Sequence, residues 1–237
     1  PVALATHKAN HPDATHCLAE LPLPRSEWPF PTDGRPFHVH FSPPCQKFSR
    51  INKRKRVEGD TQAATDLVTW SLETAIASGA TSWSLEQVAA PAVVALVEAA
   101  RARHPGRIAY AKIDLAELGV PQRRVRLIAG PPALIAPLLR RRSAANVRSV
   151  RKVVAKPRGT HLRHGLGWKH KSRGPDGKWR YVKANWNDYC SRVDAPAPTV
   201  LSDRGMNWVT LRKGVATGAH PRLRKHEYAA LQTFPPT

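Results

Sequence analysis

The residues with most chemical promise form the stretch Ser42-Pro43-Pro44-Cys45-Gln46-Lys47-Phe48-Ser49, a cysteine framed by prolines and cations. An apolar, strand-like run, Phe37-His38-Val39-His40-Phe41, precedes it, and a basic loop, Asn52-Lys53-Arg54-Lys55-Arg56, follows. The prolines keep the strand from continuing as a paired ladder, so Cys45 is expected just past a strand end. A thiol there, beside cations, suits a nucleophile that works on a polyanion. A free thiol titrates near ~8.5, and nearby Lys and Arg raise its thiolate fraction at neutral pH. Taken alone, Cys45 reads better as a buried, inert residue in a strand-to-loop turn. Its surroundings change that balance.

Such a thiol needs a scaffold, and residues 1–130 alternate strand and helix signals. Residues 61–78 carry apolar side chains at helical spacing and end at Gly79, a suitable C-cap. Residues 83–88 form a short strand candidate, and Pro91 opens a helix to about Arg103 at the first helical position, where proline is favoured. Residues 107–114 and 125–129 read as further strands. The alternation predicts a parallel, three-layer α/β sheet. Cys45 and Glu86 are then expected at the carboxyl ends of adjacent strands, where open α/β sheets bind ligands.

Composition shifts near residue 140. From there to Arg192 the chain is dense in Arg and Lys, has only Asp176 and Asp188 as acids, and contains Trp168, Trp179 and Trp186. Glycines and turn residues divide it into short pieces, so hairpins or loops are expected rather than long helices. Cations interleaved with aromatics suit phosphate contacts plus stacking, and the plainer alternative is a solvated, partly disordered insert.

The whole chain of 237 residues has a formal charge of +21 and a pI of about 10.9. Self-repulsion of that size is usually kept because the partner is a polyanion, and nucleic acid leads. A membrane partner is not expected: no basic amphipathic helix with an aromatic face and no apolar run of roughly 20 residues is present, nor is a signal peptide expected. Three widely spaced cysteines (Cys17, Cys45, Cys190) argue for a reducing compartment, hence an intracellular location in cytoplasm, nucleoid or nucleus. His7, His11, His16 and Cys17 have a spacing compatible with zinc, but they fall on a helix-and-turn segment and no metal is expected.

Further signals follow Cys45 in a fixed order: Leu85-Glu86-Gln87-Val88; Gly119-Val120-Pro121-Gln122-Arg123-Arg124-Val125-Arg126; Ala195-Pro196-Ala197-Pro198-Thr199-Val200; and Leu231-Gln232-Thr233-Phe234-Pro235. In this order they resemble the DNA (cytosine-5)-methyltransferases. Pro-Pro-Cys-Gln is similar to that family's motif IV, Glu-Gln-Val to motif VI (usually Glu-Asn-Val) and Gln-Arg-Arg-Val-Arg to motif VIII. Pro-Ala-Pro-Thr-Val is similar to motif IX, and Leu-Gln-Thr-Phe-Pro to the lead-in to motif X. Each piece is weak alone; five in order are specific.

The resemblance implies an incomplete Rossmann-like, S-adenosylmethionine-dependent methyltransferase fold with a small basic target recognition region. Residues 1–140 would be the catalytic α/β domain, 141–192 the recognition region and 193–237 a return segment. Cys45 would add to carbon 6 of a flipped cytosine, Glu86 would serve ring nitrogen 3, and Arg126, with Arg124 beside it, the ring carbonyl. Pro44 and Glu20 would contact the donor. Gln46, Ser49, Lys53, Arg54, Lys55 and Arg56 would grip double-stranded DNA, as would Trp168, Lys169, Lys171, Arg173, Trp179 and Arg180. Thymidylate synthases also use a Pro-Cys nucleophile, but none of their other motifs occurs.

The sequence departs from the family where the donor binds. The Gly-rich turn of motif I, the acidic residue of motif II and the Gly-Asn-Ala/Ser-Val of motif X have no counterpart. Three readings follow: a piece of a longer enzyme, one subunit of a split enzyme whose second chain supplies motifs X and I, or a non-catalytic, architectural DNA-binding protein.

Overall fold

The computed structural model describes residues 2–48, 58–164, 169–173, 176, 178–183, 190–200, 205–213, 215–217 and 220–234. Helix α1 (Val2–Asn10) leads by an irregular segment into β1 (His38–Phe41), α2 (Glu58–Ala77), β2 (Ser82–Val88), α3 (Pro91–Arg103), β3 (Ala109–Asp114), β4 (Val125–Gly130) and α4 (Pro132–Arg141). The strands form one sheet in the order β1-β2-β4-β3, with β1 at its edge.

Alternation explains the layers. In β2, Trp83, Leu85 and Gln87 point to one face and are buried, while Ser82, Ser84, Glu86 and Val88 are half-buried on the other. The first face packs on α2 through Val68, Leu72 and Ala75 and on α3 through Val93, Val97 and Ala100, residues spaced three or four apart on one stripe of each helix. Across the sheet, Ile135 of α4 packs on Ala111 and Ile113. Burying each Val, Leu or Ile side chain among them is worth about 1.5–3 kcal/mol. The exposed Arg103–Glu73 pair that also joins α3 to α2 contributes at most about 1 kcal/mol. Apolar contacts therefore hold the layers together. Gly79 ends the turn after α2 at φ +75°, and Pro91 occupies the first turn of α3, both as the sequence predicts.

The result is a mixed α/β, incomplete Rossmann-like layer, with one correction. The sheet is not parallel throughout: β1 and β2 are parallel, but β4 is antiparallel to both β2 and β3 and lies between them. A parallel neighbour needs a crossover of a dozen or more residues, usually a helix. The β3–β4 connection holds only a 3-10 turn, Leu115–Leu118, closed by Gly119 at φ +93°, so the chain reverses instead.

The second half builds its own sheet. Beyond the single-turn α5 (Val150–Val153) lie β5 (His161–His164), β6 (Lys169–Arg173), β7 (Trp179–Lys183), β8 (Cys190–Arg192), β9 (Met206–Arg212), β10 (Val215–Thr217) and α6 (Lys225–Leu231). An antiparallel sheet in the order β10-β9-β5-β8 buries Leu162, Met206, Trp208 and Leu231, and β6 pairs with β7 as a separate ribbon. The expected hairpin architecture is thus present among the described residues. This second sheet draws β5 and β8 from the basic segment and β9 and β10 from the return segment.

Candidate active site

The loop carrying Cys45 is fixed at both ends. Parallel pairing sets Phe41 opposite Leu85, so the chain leaving β1 passes beside Glu86. There the Ser42 hydroxyl donates to Glu86 Oε2 at 2.9 Å. One residue on, the Pro43 carbonyl accepts from Gln87 Nε2 at 2.9 Å, while Gln87 Oε1 accepts the Val88 N–H at 2.7 Å. Beyond the cysteine, Phe48 is buried in the first core and its N–H donates to the Cys45 carbonyl at 3.0 Å. Cys45 is held half-buried between these anchors, as a free thiol.

The antiparallel entry of β4 brings in the arginines. Arg126 sits opposite Val88, and Glu86 opposite Ile128, so Glu86 and Arg126 are diagonal neighbours on one face. Arg126 Nε lies 2.6 Å from Glu86 Oε1. Arg124, just before the strand, has a pKa below the ordinary arginine value: burial is the main cause and the Arg126 charge the next, opposed by Glu86 and Cys45. Arg124 thus lies within electrostatic reach of the thiol, the carboxylate and the second guanidinium.

Two buried or half-buried groups hold the arginines in place. Asp114, at the end of β3, accepts the Arg124 N–H at 3.0 Å and lies 3.4 Å from Arg123 Nη1. Gln122, 1 % exposed, donates to the Leu231 carbonyl at 3.4 Å and accepts from the Val200 N–H at 3.1 Å. It also bridges Ala197, so the strand bearing Arg126 is tied to the second half of the molecule.

Four of the residues expected in the site, Cys45, Glu86, Arg124 and Arg126, therefore converge. Pro44 lines an apolar cavity of about 370 Å³ with Leu21, Trp28, Phe41 and Trp70. Glu20 is exposed; its neighbours Ala19 and Leu21 line that cavity. The flat rings suit an adenine, but no lining residue is a carboxylate able to bind ribose hydroxyls or an ammonium group. These residues fit one part of S-adenosylmethionine and not the whole. Gln46 is exposed beside Cys45. Ser49, Lys53, Arg54, Lys55, Arg56 and Trp168 lie outside the described residues. Lys169, Lys171 and Arg173 occupy alternate positions of β6, and Arg173 pairs with Trp179 of β7, next to Arg180. At the N-terminus, His7 Nδ1 lies 2.7 Å from His16 Nε2. Among the described residues no group of three His, Cys, Asp or Glu side chains could hold a metal ion.

Sequence reasoning missed Ser42, Gln87, Asp114 and Gln122 as positioning groups. Gln87 carried a signal: it is the polar residue in the buried phase of an alternating strand, and such a residue needs partners. Asp114 and Gln122 carried none, since the tertiary fold alone brings the Arg124 N–H to Asp114 and the Leu231 carbonyl and Val200 N–H to Gln122.

No protein-family model matches this chain, and no curated protein does. Solved structures align with part of it, among them the following three. The Entamoeba histolytica methyltransferase EhMeth shares 12% identity over 39% of this chain and 31% of its own, with a TM-score of 0.28. A protein described as a DNA modification methyltransferase encoded within a prophage (E. coli) shares 17% over 42% and 27%, with a TM-score of 0.28. A Spodoptera frugiperda DNMT2 variant shares 16% over 39% and 28%, with a TM-score of 0.21. The aligned part of this chain thus spans about a third or less of each of those structures.

Proposed function

We propose that this chain carries the base-handling half of a DNA cytosine-5 methyltransferase, one that uses S-adenosylmethionine as methyl donor. One observation supports it above the rest. Glu86 is bonded at once to Ser42 of the cysteine loop and to Arg126 of β4, so three separate sequence motifs meet at one carboxylate. A buried structural cysteine has no use for that convergence.

In this reading Cys45 Sγ, as thiolate, adds to carbon 6 of an extruded cytosine, and the displaced π pair moves onto ring nitrogen 3. As Arg126 leaves the Glu86 carboxylate to bond the ring carbonyl, Glu86 takes up a proton from solvent, gives it to nitrogen 3, and takes it back when the ring is restored. Carbon 5 becomes the enamine carbon that can take a methyl group. Loss of the carbon-5 proton and expulsion of Cys45 then restore the ring. The chain's +21 charge supports duplex DNA as the substrate.

The test adds a segment bearing the Gly-rich strand–turn and motif X, fused or as a second chain, with labelled S-adenosylmethionine and duplex DNA. Methylation that appears on complementation and vanishes in Cys45→Ser is the expected result. A complemented, folded, DNA-binding protein that transfers nothing overturns the reading in favour of an architectural DNA binder.

A further inference from the structure

Away from Cys45 lies a groove of about 1010 Å³ between the α5 region and α6 in the second half of the molecule. Its floor is aliphatic, formed by Val153, Val154, Ala155, Ala229 and Ala230. Its rim is cationic: Arg148, Lys152 and Lys156 stand exposed on one wall, and Arg224 and His226 on the other. The one carboxylate lining it, Glu227, is buried and already accepts from Arg158, Trp208 and the Arg224 N–H.

One end of the groove is marked by Phe234, 62 % exposed. Its place is set by the end of α6. Thr233 takes φ +62°, an uncommon conformation for a β-branched residue, and the Phe234 N–H returns to the Ala229 carbonyl at 3.0 Å. The ring is thus presented by a fixed turn.

We infer that this groove is a second nucleic-acid site, for a single-stranded stretch. Phosphates meet the rim cations, and bases lie on the apolar floor and against Phe234. A duplex has its bases stacked inside and its phosphates outermost, so it would touch the rim and leave the floor against water. An acidic peptide could use the rim but has no need of an exposed ring. The inference is independent of Cys45 and of methyl transfer.

The experiment titrates the full chain into a fluorescein-labelled oligothymidylate and reads anisotropy at several salt concentrations. Lys152→Glu with Lys156→Glu is expected to weaken binding about tenfold or more and to flatten the salt dependence. The same charge change placed elsewhere, Lys8→Glu with Lys112→Glu, is expected to cost about twofold, through net charge alone. Phe234→Ala is expected to weaken binding about fivefold with the salt slope unchanged, since stacking releases no counterions. Equal losses in the two charge pairs overturn the groove as the site. An unchanged Phe234→Ala overturns the single-strand assignment, as does displacement of the oligonucleotide by polyglutamate of equal charge. Thermal melts of each variant identify any loss due to unfolding, and for such a variant protection of the groove lysines from acetylation by the bound oligonucleotide in the unaltered chain decides.

Discussion

Gln87 shows how a single side chain sets the chemistry of its neighbours. Replacing it with leucine keeps its bulk but leaves the Pro43 carbonyl and the Val88 N–H without the partner they now share. Gln87→Leu is expected to cost about 1–3 kcal/mol in urea unfolding. It should also speed alkylation of Cys45, measured in a Cys17→Ser, Cys190→Ser background, because the loop loses an anchor. Glu227 offers a second test. Burial pushes its carboxyl up, yet the Arg224 N–H, Arg158 and Trp208 together hold its pKa below the ordinary value. A depressed folded-state pKa adds stability that is complete above the unfolded value, about 4.3, and is lost as pH falls through the folded one. The melting-temperature gap between the protein and Glu227→Gln should therefore be constant from neutral pH down to about 5 and narrow below it. At this scale Cys45, Glu86 and the arginines were legible because their chemistry is uncommon in such an order. Gln122 and Asp114 were not, because Gln122 meets the backbone of Leu231 and Val200 and Asp114 the Arg124 N–H, all brought near only by the tertiary fold.

Among the elements, two helices were legible, since α3 opens at Pro91 and α2 stops just short of Gly79, whereas α4 and α6 were not read from the sequence. The direction of β4 was not. Apolar alternation reports which face is buried and carries nothing about whether a strand runs up or down. The short β3–β4 connection held that information, and it was read as a link in an all-parallel series. The junction of β4 and α4 depends on Gly130, where an added Cβ would stand 2.8 Å from the Trp83 carbonyl oxygen and 2.9 Å from Leu134 Cδ2. The carbonyl belongs to the buried middle of the sheet and cannot move aside freely. Gly130→Ala is therefore expected to destabilise by about 1–3 kcal/mol, seen as a lower urea midpoint with an unchanged slope.

For the whole molecule the dominant quantity is charge. With +21 spread over 237 residues, binding to duplex DNA is expected to weaken steeply as salt rises, by orders of magnitude between about 50 and 200 mM. A gel or filter assay that finds salt-insensitive binding would remove phosphate contacts from the account. The same charge has a bearing on handling the protein. β1 is an edge strand only four residues long, carrying His38 and His40, and its outer backbone groups have no strand partner among the described residues. Such an edge invites pairing with the edge of another copy, and mutual repulsion is one of the devices that hold copies apart. Added salt shortens the reach of that repulsion to a few ångströms. A preparation stripped of nucleic acid by concentrated salt is thus the one in which two copies most readily meet edge to edge, and its solubility should fall under the very conditions used to clean it.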